Sequence, residues 1–385
     1  MFTTFDAPPR PRRGTALMRA LGLLFVAAVA IATLYPASGW RAGVESPLGF
    51  LAAGLPRWWT WFDVLSNAFA YAVLGLLLAL GWGAGLAPWR AIASVGAACA
   101  ALSLSLEAAQ TFLPNRVPSL LDWLSNAGGG AAGAWLGATL NGAVRRGDRI
   151  AVPVRDRWYE QGPPAGWVLL VTWLAAQLVP QRLLFATGHV EPYLRGAFDA
   201  LLPGDAPDLS RTIWAAWGGA APAGTGVAIE AAAVICAVCA VGSLVLALVQ
   251  GSRARLVLLA GVAAVAFALR SVATQMVYGP SAPFAWLTPG AQGGLVVGAV
   301  LLYGLDTLGP RTRAACAAAA AAIGLALVNL APADRYFETM LTGVQAGRLA
   351  NLHGSLRVVS VAWPLLAIAF FWRLARPRAR RAWVA

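Results

Sequence analysis

Apolar stretches of about 20 residues recur along the chain, separated by short segments rich in Arg, Gly and Pro. That length crosses a hydrocarbon core of roughly 30 Å as a helix. Such stretches fall at 17–36, 64–86, 91–113, 121–143, 166–186, 225–250, 255–278, 289–308, 313–331 and 355–375. Inside lipid every backbone N–H and C=O must be satisfied within the protein, so repeated spans mean helices or a closed barrel. A barrel strand alternates apolar and polar residues, whereas the run Leu17–Leu34 is, past Arg19, apolar on all sides. The pattern predicts an all-α, polytopic integral membrane helix bundle of about ten transmembrane helices.

Composition agrees with that pattern. Of 385 residues, 59% are hydrophobic and 12% charged, and the mean hydropathy is +0.66. A soluble chain of this length needs more charge to cover its surface. The net charge of +13 is not read as a nucleic-acid footprint, because every basic residue is Arg and the arginines sit in clusters between apolar runs. Cys99, Cys236, Cys239 and Cys316 all lie within apolar runs, and the Cys236–Cys239 CxxC is read as small-residue packing rather than a redox or metal pair. Arg10, Arg12, Arg13 and Arg19 before the first run resemble a signal peptide. The run to Tyr35 is longer than a signal core and further spans follow, so a retained first helix is expected.

Charge then sets orientation. With the N-terminus inside, each cytoplasmic segment holds Arg, from Arg19 through Arg90, the 145–157 cluster, Arg253 and Arg255, Arg311 and Arg313, to the cluster 373–381. The opposite face is acid-rich, with Glu45, Glu191, Asp199, Asp205, Asp208, Asp334 and Glu338. This alternation is what the positive-inside rule produces, and it predicts both termini in the cytoplasm. Trp40, Trp58, Trp59, Trp61, Trp214, Trp217 and Trp286 fall in outer loops and suit an interfacial belt. The 187–224 segment reads as a surface amphipathic helix or as a plain loop. The polar linker 143–165 ends in Gly162-Pro163-Pro164 and divides a four-helix front, 17–142, from a six-helix back, 166–375.

Ionisable and amide groups inside apolar spans cost several kcal/mol each and need a reason. The front helices concentrate them. Asp63, Asn67 and Tyr71 recur every four residues and stack on one helical face. Glu107 and Gln110 lie near the end of the third span, and Asp122 and Asn126 at the start of the fourth. A short loop between these spans carries Arg116 and Ser119. A tight hairpin would force these groups together at one membrane level. Three acids near one Arg leave room for a protonated acid or a ligand that completes the site. The competing structural reading has Ser119 capping the fourth helix with Asp122 at its positive end, Glu107 bridging Arg116, and Asn126 bonding a neighbouring helix. Gly128-Gly129-Gly130 lacks the Lys and Ser/Thr of a phosphate loop and is read as close helix contact.

The back is sparser. Arg270 lies deep in a span with Glu230 as its first candidate partner. Asp334, His353 and Arg357 gather at the outer end of the last two spans, where His353 with Asp334 is a candidate acid–base pair. No metal quartet and no cofactor motif is visible, since His189 and His353 stand on separate loops.

The ordered run Asp63…Asn67…Tyr71…Gly75, Glu107-Ala-Ala-Gln110, Pro114-Asn-Arg116, Ser119-Leu-Leu-Asp122 and Asn126-Ala-Gly128 resembles the VanZ-like family. Its pattern is an acid and a Tyr on one helix, then E-x-x-Q, an Arg loop and D-x-x-x-N-x-x-G. The resemblance covers roughly 17–142. Val64 after Asp63, with Asn67 in the later place, resembles the variant of longer members, and Asn351-Leu-His353-Gly354-Ser355…Trp363-Pro364 is assigned to that subgroup. The resemblance implies a multi-pass protein in the cytoplasmic (inner) membrane of a bacterium, and an envelope role. The founding member is associated with resistance to glycopeptide antibiotics of the teicoplanin type, and no settled biochemical activity is attached to the family.

Three functions compete. The leading expectation is a non-enzymatic envelope protein that binds an amphiphile at the outer leaflet. The ligand is an envelope lipid, cell-wall precursor or lipoglycopeptide, with its head on Glu107, Gln110, Arg116 and Asp122. The second is a membrane enzyme acting on a lipid-linked substrate, with Glu107 or Asp122 as general base. The third is a secondary transporter, for which polar groups at mid-membrane and broken helices would be expected. The bilayer is the expected partner, and nucleic acid is not.

Overall fold

The computed structural model describes residues 13–34, 39–42, 46–57, 59, 61–146, 162–178, 181–201, 212, 225–278, 282–330 and 350–377. Among them every regular element is helical. The helices are α1 (Arg13–Leu34), α2 (Trp61–Trp82), α3 (Pro88–Gln110), α4 (Leu120–Arg145), α5 (Pro164–Ala176), α6 (Glu191–Leu201), α7 (Thr225–Leu248), α8 (Ser252–Tyr278), α9 (Pro289–Thr307), α10 (Pro310–Leu330) and α11 (Ala350–Ala375). Among the described residues, six stretches are long and apolar enough to cross a membrane: Thr15–Leu34, Asp63–Gly85, Pro88–Gln110, Gly226–Leu248, Ser252–Gln275 and Pro310–Leu330. Pro164–Ala176 and Val359–Ala375 are shorter apolar helices. Helices α4 and α9 have the length, but Gly, Asn and Gln dilute their hydropathy.

Prolines and caps place the helix starts. Pro88 and Pro289 sit in the first turn of α3 and α9, where a missing N–H costs nothing. Thr288 caps α9 by accepting from the N–H of Ala291 at 3.2 Å, and Ser119 caps α4 by accepting from that of Asp122 at 3.4 Å.

The chain divides into two compact units, Met1–Val168 and Leu169–Ala385. In the first, α4 packs along α2 and α3, and α1 packs on α2. The α2–α4 contact is made by glycine. A Cβ on Gly129 would strike the carbonyl of Ala68, and one on Gly133 that of Ala72. Gly75 meets the carbonyl of Gly130 in the reverse sense. Glycines spaced by four residues thus let two backbones approach as closely as atoms allow. Gly128, by contrast, faces open space.

In the second unit α7 is central, packed by α9 and α10, with α11 against α10. Gly290, Gly294 and Gly298 repeat the small-residue device along α9 against Glu230, Val234 and Val238 of α7. The expected span 166–186 is corrected here. Helix α5 ends at Ala176, four residues before a proline in the sequence, a residue type that has no N–H for the helical ladder. Beyond it Gln181, Leu183, Leu184, Phe185, Ala186 and Thr187 are buried without being helical. Phe185 has φ 59°, an uncommon conformation for a bulky residue. Its ring stacks on Phe267 at 6.0 Å and meets Trp286 edge-on at 6.0 Å. Trp286, expected in an interfacial belt, is buried here and donates its N–H to Ser271 at 3.0 Å. Trp40, Trp59 and Trp61 are exposed, while Trp58, Trp214 and Trp217 lie outside the described residues.

Candidate functional site

The polar residues of the front helices converge in the first unit. Along the α2 face, Asp63 is exposed, Asn67 half-buried and Tyr71 buried. Trp61, Leu65 and Phe69 line the opposite side of α2 and are strongly exposed. Helix α3 contributes Gln110, Glu107 and Ser103, all buried, and α4 contributes half-buried Ser119 and Asp122 with buried Asn126. Burial therefore deepens from the end where α2 and α4 start towards Ser103 and Asn126, so the polar cluster tapers, like a funnel, from an exposed end to a buried one.

The bonds within it are specific. Asn67 donates to Asp122 Oδ1 at 2.9 Å, linking α2 to α4. Glu107 Oε2 accepts the backbone N–H of Ser119 at 2.9 Å, which fixes the α3–α4 turn. Asn126 donates to Ser103 Oγ at 3.0 Å. The Tyr71 phenol lies beside Ser103, Glu107 and Cys99. The Glu107 carboxyl lies within reach of the Asp122 charge, and Asp122 within reach of the Asp63 charge. At the bottom, Asn126 Oδ1 is buried and accepts no hydrogen bond among the described residues. A buried acceptor of this kind carries the full desolvation cost of a polar group.

Arg116, expected among the acids, donates to the carbonyl of Ala32 at 3.2 Å, and Gln110 donates to that of Thr33 at 3.0 Å. Both satisfy the last turn of α1, whose carbonyls have no partner in their own helix and whose negative dipole end favours a cation. Burial holds the Arg116 guanidinium below its ordinary value. Ser103 was not anticipated: a lone serine in an apolar helix has no signature, and only the α3–α4 packing turns it toward Asn126.

In the second unit, Arg270 is fully buried and donates to Gln181 Oε1 at 2.9 Å and to the carbonyl of Gln177 at 3.2 Å. It thus supports the broken end of α5. Its expected partner Glu230 accepts from Thr288 Oγ1 at 2.6 Å. Asn329 does similar work, accepting the N–H groups of Val190 and Glu191 at 2.9 and 3.1 Å and donating to the carbonyls of Gly188 and Leu325. Beside it Arg182, His189 and Glu191 lie within 3.6 Å of one another, and Arg357 sits over the Tyr193 ring at 5.0 Å. His189 is held below its ordinary value, first by burial and then by the Arg182 charge. Asp334 and the His353 side chain lie outside the described residues. Among the described residues no three of His, Cys, Asp and Glu are grouped as metal ligands, and the four cysteines are free thiols.

No curated protein and no solved structure matches the chain. Residues 21–141 match the family model described as VanZ/LLP1, a stretch that contains the whole α2–α4 cluster, so the N-terminal part of the chain is similar to the VanZ-like family.

Proposed function

We propose that the N-terminal domain holds the polar head of an amphiphile where the α2–α4 funnel opens, at the outer face of a bacterial cytoplasmic membrane. The observation that carries this reading is the buried Oδ1 of Asn126, without a donor among the described residues, at the deep end of the cluster that holds Glu107 and Asp122. Those acceptors call for a head group rich in N–H or O–H donors, as in an envelope lipid, a cell-wall precursor or a lipid-tailed glycopeptide. The tail would lie in the bilayer beside the apolar helices. Alternation of Arg along the chain supports an N-in, C-in arrangement of about ten spans, which turns the funnel mouth outward.

Two measurements test it. Val117, 85% exposed in the α3–α4 turn, becomes a reporter as Val117→Cys. A membrane-impermeant maleimide should label it in intact spheroplasts, and labelling only after permeabilisation would overturn the orientation. Binding of polar lipid extract and of teicoplanin-type glycopeptide to the purified full chain should then weaken in Glu107→Gln and Asp122→Asn. A hydrogen bond to a charged group is worth about 1.5–3 kcal/mol, so the loss is roughly tenfold to a hundredfold. Unaltered binding at unaltered protein abundance would sink the proposal. Turnover of a lipid-linked compound that stops in Glu107→Gln would replace it with the enzyme reading.

A further inference from the structure

The second unit contains a groove of about 450 Å³ between α7, α8 and α9, within the size range of small-molecule sites. It exists because α9 packs closely on α7 through its glycines, whereas α8 touches α7 only sparsely. Its walls are aliphatic, including Val241 and Val245 of α7, Leu259 and Val262 of α8, and Leu302 of α9. Trp173 and Phe185 line it at one end, and Ser252, Arg255 and Asp306 at the other. Along α9 it runs from Leu295 to Asp306, roughly 16 Å at 1.5 Å per helical residue. That is about half of a 30 Å hydrocarbon core, the depth of one leaflet.

The polar end is cationic. Arg255 and Arg313 both bind one oxygen of Asp306, at 2.8 and 3.2 Å, so a single carboxylate is shared by two guanidinium groups. Arg253 and Arg311 stand exposed in the same two connections, which carry no further acid. An apolar trough one leaflet deep with surplus positive charge at its mouth matches the two parts of a lipid with a negatively charged head.

We propose that this groove holds one acyl chain of an anionic phospholipid, with its phosphate against Arg255 and Arg253. The site is independent of the funnel in the N-terminal domain. Aspartate 306 then acts as a counter-charge that limits how tightly the head group is held.

The test places the full chain in phosphatidylcholine nanodiscs doped with phosphatidylglycerol carrying a photoactivatable acyl chain, and maps the labelled peptides. Val296 and Val300, 67% and 66% exposed on α9, report ordinary lipid contact. Groove residues of α8 and α9 should be labelled several-fold more than these references, and the excess should vanish when the probe is phosphatidylcholine. Ala263→Trp, which fills the trough, should abolish the excess and leave the references unchanged. Asp306→Asn should raise it, whereas a purely structural ion pair would lower stability without raising it. Equal groove labelling by both probes, or an excess indifferent to both substitutions, overturns the proposal.

Discussion

Replacing Asn126 by Leu separates the cost of the funnel from its use. Both side chains branch at the third atom, so the substitution preserves shape while removing the amide. What is lost is the bond from Asn126 to Ser103 Oγ at 3.0 Å; interhelical bonds of this kind average about 0.6 kcal/mol in a membrane protein. What is relieved is the desolvation of Oδ1, buried with no donor among the described residues, a cost of about 1–3 kcal/mol. The balance favours the variant by about 0.5–2 kcal/mol. Reversible unfolding of the purified full chain in mixed micelles should therefore show Asn126→Leu as at least as stable as the parent. The same preparation should bind the donor-rich head group more weakly. A site kept for function is destabilising in the empty protein, and that opposition of stability and binding is the signature sought. If Asn126→Leu instead loses more than about 1 kcal/mol, the Oδ1 atom is already satisfied within the fold, and the reasoning from it to a ligand fails.

The remaining predictions concern packing and the second unit. Gly133→Ala drives a Cβ into the Ala72 carbonyl and should destabilise by about 1–3 kcal/mol, while Gly128→Ala, in open space, should be neutral or stabilising by up to about 1 kcal/mol; equal effects in an unfolding assay would refute the glycine contact. Asn329→Ala strips the partners from two backbone N–H groups and should cost at least about 2 kcal/mol, read as faster amide exchange confined to 188–191. His189 is held below its ordinary 6.5 by burial and by the Arg182 and Arg357 charges, against the pull of Glu191. Above that value both folded and unfolded forms are neutral. Below it the unfolded form takes up its proton first, so stability of the 182–191 segment should fall as pH drops below 6.5. Rate-corrected exchange should show that loss in the parent and not in His189→Gln, and a parent indifferent to pH would contradict it.

Much of the helix plan is written in punctuation that has a local physical cause. Pro88 and Pro289 start helices because they tolerate the first turn. Ser119, three residues before Asp122, offers its hydroxyl to a free N–H, a capping pattern visible without coordinates. The stretch 166–186 shows where such reading stops. Hydropathy sums composition over a window and does not notice one proline, which has no N–H for the helical ladder. The segment past Ala176 stays buried all the same: Gln177 and Gln181 bond the Trp173 and Ala176 carbonyls at the end of α5, and Arg270 and Asn329 bond those of Gln177 and Gly188 beyond it. Of these, Arg270 stood out in the sequence on the ground that an ionisable group in an apolar span is expensive. Arg270 and Asn329 also answer the demand of buried backbone that is not helical.

The same distinction runs through the N-terminal site. That Asn67, Tyr71, Glu107, Asp122 and Asn126 share one neighbourhood follows from helical periodicity and a short hairpin, both legible in the chain. Who bonds whom does not. Opposite charge suggested Glu107 with Arg116, yet a backbone N–H claims Glu107 and a helix end engages Arg116. Backbone groups carry no letter in the sequence, so their pull on side chains is invisible until the helices are placed. Arg116 is tied to α1 and Glu107 holds the turn, but neither supplies a donor to Asn126. The separation matters for mechanism. A polar cluster whose own cation had neutralised its acids would have little left to offer a ligand, whereas one whose cation bonds a helix terminus leaves its acids available to the head group proposed above.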